Sequence, residues 1–153
     1  MKTIKTTLIA LLLVLSVLIC LAGCNTEEKP TEPEANVTEE GGEIAASGLW
    51  TSAKYRKDTE LGEGKKTVSV DIEAEGKEIT VTLKTDAATL GQALYNEGLI
   101  NDASFFNVCN GIKADWDADN AYWGFYVGSE YAMVGVNDTE ISGGEHYRFV
   151  YTK

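Results

Sequence analysis

Two stretches of strict alternation dominate the middle of the chain. Val68, Val70 and Ile72 alternate with Thr67, Ser69, Asp71 and Glu73. After Glu75-Gly76, the residues Ile79, Val81 and Leu83 alternate with Glu78, Thr80, Thr82 and Lys84. A period of two puts apolar groups on one face and polar groups on the other, so Lys65 to Thr85 predicts a β-hairpin with one dry face. The pattern then changes to helical spacing. Thr89-Leu90-Gly91-Gln92 has the form of a capping box, in which the Thr89 hydroxyl takes the Gln92 amide and the Gln92 side chain reaches back. Leu90, Ala93 and Leu94 make an i, i+3, i+4 stripe, and Gly98 supplies a C-terminal stop. A helix of about two turns is marginal alone, so it is expected to lie across the dry face of the hairpin.

Beyond a loop at Asn101 to Ser104, Phe105–Cys109 predicts a strand, turning at Asn110-Gly111 into Ile112-Lys113-Ala114. Asp115 to Asn120 is mostly polar. Tyr122-Trp123-Gly124-Phe125-Tyr126-Val127 is the densest aromatic run of the chain. Gly128-Ser129 behind it suits a type II′ turn into a strand at Glu130–Val134, because Gly accepts positive φ at the first central position. Gly143-Gly144 precedes a last strand at Tyr147 to Tyr151. Hairpin, single helix, then further strands read as α+β: a β-grasp-like mixed sheet with one short helix packed across it. The aromatic run carries large side chains on both faces. Such a strand is either central in its sheet or gives one face to binding.

The N-terminus has a different pattern. Lys2 and Lys5 precede Leu8 through Leu21, apolar throughout except Ser16, which is short for a membrane span and suited to the core of an export signal. Leu21-Ala22-Gly23-Cys24 resembles the bacterial lipobox, whose cysteine takes diacylglycerol and becomes the mature N-terminus. Residues 1–23 are therefore expected to be a signal peptide and Cys24 a lipidated residue, with two acyl chains giving stable anchoring at the outer face of the cell membrane. Residues 24–47 hold both prolines and seven glutamates against the single Lys29. That composition does not support a core and predicts an acidic tether with a reach of roughly 25 Å. Leu49, Trp50 and Tyr55 bring large apolar groups back, so the folded domain is expected over residues 48–153.

Charge and inventory narrow the function. The chain has 24 acidic and 13 basic residues, a net charge of -11. Loss of two lysines with residues 1–23 takes this to -13. A nucleic-acid surface needs a basic stripe, and the sequence offers none. Cys20 leaves with the signal and Cys24 is acylated, so Cys109 remains as the only free thiol and no disulfide is expected. His146 is the only histidine. It leaves no material for a hydrolytic triad or a His-rich zinc site, and Cys109 lies in an apolar strand where cysteine behaves as a small hydrophobe. Asp115, Asp117 and Asp119 have the alternate spacing of a calcium loop. The sixth and twelfth places hold Asn120 and Tyr126 rather than Gly and Glu, so a solvated acidic loop is the simpler reading. The inventory points to a non-enzymatic protein without a bound cofactor or metal.

A likeness joins these pieces. Thr85-Asp86, Thr89-Leu90-Gly91-Gln92-Ala93-Leu94, Gly98-Leu99-Ile100, Asn110-Gly111-Ile112, Ala114-Asp115, Tyr122-Trp123-Gly124-Phe125-Tyr126, Tyr131-Ala132-Met133 and Gly135-Val136 run in order over residues 48–153. The series resembles bacterial surface lipoproteins carrying a domain similar to the C-terminal β-domain of transcobalamin and intrinsic factor. Gly128-Ser129 and Gly143-Gly144-Glu145 depart from the turns usual there but keep turn chemistry. The resemblance implies a β-grasp related to soluble-ligand-binding domains. In the vitamin carriers that domain covers one face of cobalamin, and a helical domain with no counterpart here encloses the rest. It implies binding of a small flat ligand such as cobalamin or a related tetrapyrrole. The alternative is an interaction module that docks a surface protein or transporter. The residues expected to form either surface are Tyr122, Trp123, Tyr126, Tyr131 and Asn110, since aromatic side chains suit flat, partly apolar partners.

Overall fold

The structure, a computed structural model, describes residues 42–153. The expected signal peptide, Cys24 and most of the expected tether lie outside the described residues. Among the described residues no helix is long and apolar enough to cross a membrane.

The alternating stretches form β2 (Lys66–Ala74) and β3 (Lys77–Thr85), paired antiparallel from Lys66↔Thr85 to Ala74↔Lys77. Their turn takes positive φ at both Glu75 and Gly76. Val68, Val70, Ile72, Ile79, Val81 and Leu83 are all buried on one face. Burying side chains of this size contributes roughly 1.5–3 kcal/mol each before entropy is counted. A short parallel strand, β1 (Thr59–Leu61), lines the far edge of β3.

On its other side β2 pairs in parallel with β8 (His146–Thr152), and β8 pairs antiparallel with β6 (Tyr122–Val127). A two-residue strand, β7 (Glu130–Tyr131), closes the sheet in the order β1-β3-β2-β8-β6-β7. The parallel contact between the first hairpin strand and the last strand gives the β-grasp arrangement, an α+β mixed sheet of six strands.

The helix α1 (Leu90–Asn96) buries Leu90, Gly91, Ala93 and Leu94, and its apolar side joins the core formed by the sheet. The Thr89 hydroxyl accepts the Gln92 amide at 3.4 Å. The reciprocal half of the capping box is absent, because the Gln92 amide group donates to Asn96 Oδ1 instead. At the other end Gly98 takes φ of 62°, and the amides of Gly98 and Leu99 donate to the carbonyls of Tyr95 and Leu94. This is a complete Schellman stop with Leu99 and Leu94 both buried.

Four expectations about the elements need correction. The predicted strand at Glu130–Val134 stops at Tyr131, as β7. The predicted strand at Phe105–Cys109 shrinks to β4 (Val108–Cys109), which pairs with β5 (Ile112–Lys113) as a separate ribbon. Asp115 to Asn120 contains a one-turn helix, α2 (Trp116–Asp119), capped by the Asp115 carboxylate accepting the Ala118 amide. Packed structure begins before residue 48: Ile44 donates its amide to the Arg56 carbonyl and lies against the core. A 3₁₀ turn at Gly48–Thr51 then lodges Trp50, fully buried, with its indole N–H donating to the Ala74 carbonyl.

Candidate functional site

The two faces of β6 go to different places. Trp123 and Phe125 point into the core, where Phe125 stacks on Phe149 with centroids 5.1 Å apart and Trp123 meets Tyr151 edge-on. The Trp123 indole N–H donates to the Ile112 carbonyl at 3.2 Å, which fixes the ring. Tyr122 and Tyr126 lie on the opposite, outer face of the sheet, in register with Thr152 and Arg148. The strand is thus next to the sheet's edge, bordered by β7 only at Tyr126 and Val127, and it is wet on one side.

Trp123 and Phe125 retain 8% exposure each because they floor an open cleft of about 230 Å³. One wall is the loop through Ser104, Phe105 and Phe106. The other is the segment from Tyr131 to Val136. Phe105 is 88% exposed and Met133, beside the second wall, is 94% exposed. Phe105 and Met133 thus extend an exposed apolar surface to either side of that floor.

Neither wall is loose. Asn101 Oδ1 accepts the amides of Asn107 and Val108, and Asp102 Oδ1 accepts those of Ser104 and Phe105. These side chains satisfy the backbone that a longer β4 would have paired, which is why the predicted strand is a loop. Phe106 turns inward, edge-on to Phe149 at 5.4 Å, and so anchors the loop while its neighbour Phe105 faces solvent. In the second wall Ala132 donates its amide to the Phe125 carbonyl, and the Val136 carbonyl accepts the amide of Gly91. Gly91 also brings the walls together: a Cβ there would stand 2.3 Å from the Ala103 carbonyl oxygen. Only glycine permits that approach.

Of the residues expected from sequence, the structure brings Trp123 and Tyr131 to the cleft. Tyr126 touches the site indirectly, edge-on to Tyr131 at 5.2 Å, and lies under the Arg148 guanidinium. Tyr122 sits at the other end of β6 on the outer face, tilted against the exposed Trp116 at 6.2 Å. Asn110 is a correction. It is fully buried, its side chain donates to the Tyr55 carbonyl and accepts the Tyr55 amide, and its backbone bonds Leu99 and Lys54. Every polar group of Asn110 is used in pinning the Asn110-Gly111 turn under residues 54–55, so it offers nothing to a ligand. Phe105, Phe106 and Val134 are large lining residues that were not anticipated. The signal available for two of them was a pair of phenylalanines inside the polar run Asn101–Asn107.

The thiol, imidazole and carboxylates singled out in the sequence do not line the cleft. Cys109 is fully buried, and burial pushes its thiol far above the ordinary thiol range. His146 contacts Asp71 at 2.6 Å on the outer face, whereas Cys109 is enclosed in the core. Asp115, Asp117 and Asp119 do not converge. Asp115 caps α2 and pairs with Lys113, which holds its carboxyl below the usual range, and Asp119 faces Lys153. Among the described residues no group of three or more His, Cys, Asp or Glu side chains is placed to hold a metal.

No protein-family model matches the chain, and no curated protein matches it in sequence. Solved structures do. A Ruminococcus gnavus protein provisionally named for metal binding superimposes with a TM-score of 0.54 at 23% identity. The match covers 58% of this chain and 98% of that one. Haptocorrin in complex with Cbi matches with a TM-score of 0.44 at 14% identity, over 57% of this chain and 25% of haptocorrin. The first likeness shows a shared fold, and the second is too distant to support more.

Proposed function

We propose that this chain is a membrane-anchored extracellular binding lipoprotein, held by lipid on Cys24, whose cleft takes the edge of a small, flat, partly apolar molecule of the cobalamin or tetrapyrrole kind. The observation that carries this reading is the exposed pair Phe105 and Met133 beside a floor of Trp123 and Phe125. The cleft is smaller than the ~300–1,000 Å³ typical of sites that enclose a ligand, which fits covering one edge of a larger molecule. The work is done by contact, with no bond-making step. A second reading, docking of a surface protein or transporter on the same rim, draws on Phe105 and Met133 standing proud of the cleft.

Titration of the full-length chain in lipid nanodiscs with cobalamin tests the first reading through tryptophan emission, because Trp123 lies in the cleft floor. Saturable quenching that weakens in Phe105→Ala is the expected result. Its absence up to on the order of tens of micromolar rejects a small corrin ligand and leaves the protein-docking reading. Mass spectrometry tests the anchor: the mature chain is expected to begin at a diacylglyceryl-modified Cys24.

A further inference from the structure

Charge around the cleft is one-sided. The side chains that line it are uncharged, from Ser104 and Phe105 on one wall to Tyr131 and Val134 on the other. The chain between β3 and β8, residues 86–145, supplies both walls and carries ten carboxylates against one lysine, Lys113. That lysine is engaged by Asp115 at 2.7 Å. Arg148, whose guanidinium lies over the Tyr126 ring, is tied to Glu73 and Glu78 on the outer face. Two carboxylates adjoin residues of the walls. Asp102 is held in place by the amides of Phe105 and Ser104, and those bonds lower its carboxyl from the ordinary range. Glu130, exposed, precedes Tyr131. Among the described residues neither has an ion-pair partner.

An anion entering such a cleft leaves water without meeting a cation, and it enters a negative field. A positive group at the rim gains from the same field while its apolar body fills the floor. We infer that the cleft selects by charge: its ligand is apolar in the part that enters and cationic in the part that reaches the rim, and a carboxylate there weakens binding. This rests on the cleft being the binding site proposed above.

Three probes of one shape and different charge test it: protonated 2-naphthylmethylamine, 2-naphthylmethanol and 2-naphthoate. Each is measured by equilibrium dialysis against the full-length chain in nanodiscs, with empty nanodiscs as the blank. The cation is expected to bind tightest and the anion weakest, separated on the order of tenfold at low salt. The gap should close in 0.5 M salt, since the screening length falls from about 10 Å at 0.1 M to about 3 Å at 1 M. Asp102→Asn, which keeps the acceptor oxygen of its loop bonds, combined with Glu130→Gln, should shrink it several-fold. Equal affinities for all three probes that fall together in Phe105→Ala would overturn charge selection and leave the cleft standing. Absence of any Phe105-dependent binding would overturn both.

Discussion

The β2–β3 hairpin and the stretch from Asn101 to Val136 use the same kinds of side chain to opposite ends. In the hairpin every alternate Val, Ile or Leu is at most 2% exposed. In the second stretch Phe105, Trp116, Tyr131, Met133 and Val134 are each more than half exposed. The second stretch is nevertheless well fixed, by Asn101, Asp102 and the backbone bonds to Gly91 and Phe125. Apolar exposure here comes from a backbone that is held in place, rather than from one that failed to find a core. The hairpin maintains the fold, and the second stretch presents a surface.

Substitutions separate the two roles. The largest loss of stability is expected from Ile72→Ala in the hairpin, about 2–5 kcal/mol by urea denaturation, because a fully buried side chain leaves a cavity between β3 and β8. Gly91→Ala should cost about 1–3 kcal/mol and disturb the cleft, since the new methyl group meets the Ala103 carbonyl and one wall must shift. Phe105→Ala should change stability by no more than about 0.5 kcal/mol while weakening ligand roughly tenfold or more. A Phe105→Ala variant that unfolds as readily as Ile72→Ala would erase the distinction between the regions.

The smallest effect is expected with pH, and its sign differs between them. In the hairpin, Glu78 has its carboxyl raised by burial and by the nearby Asp71. The folded state holds that proton more tightly than the unfolded one, so ionising Glu78 costs stability as pH rises from the ordinary carboxylate range through its raised value. Asp102 is lowered by the amides of Phe105 and Ser104. Its contribution is present above the ordinary aspartate range near pH 4 and is lost as pH falls through its depressed value. Glu78→Gln should therefore stabilise slightly at pH 7, by no more than a few tenths of a kcal/mol after solvent screening. Asp102→Asn should flatten the acid side of the curve. Urea midpoints between pH 2.5 and 7 for the two variants check both signs.

The hairpin, the helix and its stop were legible because each obeys a local rule: alternation, a Thr cap, a glycine with positive φ. What escaped was set by side chains acting on backbone at a distance. Nothing in the apolar character of Phe105–Cys109 shows that Asn101 takes the amides of Asn107 and Val108 and so prevents a strand. The turn at Asn110-Gly111 has the form of an exposed hairpin tip, yet residues 54–55 cover Asn110, and only long-range packing decides that. Within the cleft, Trp123 and Tyr131 stood out by residue type. Val134 was hidden, as was Met133 beside it, because Glu130–Val134 had the pattern of a strand, whereas β7 ends at Tyr131.

The place of β8 in the sheet has a consequence for how the chain comes into being. It lies between β2 and β6, yet it is synthesised after both. Until His146–Thr152 is available, the hairpin and the aromatic strand have no common neighbour, and Phe106 and Phe125 lack the Phe149 ring between them. Closure of the sheet must therefore wait for its latest segment, a high-contact-order event that leaves the growing chain open for most of its synthesis.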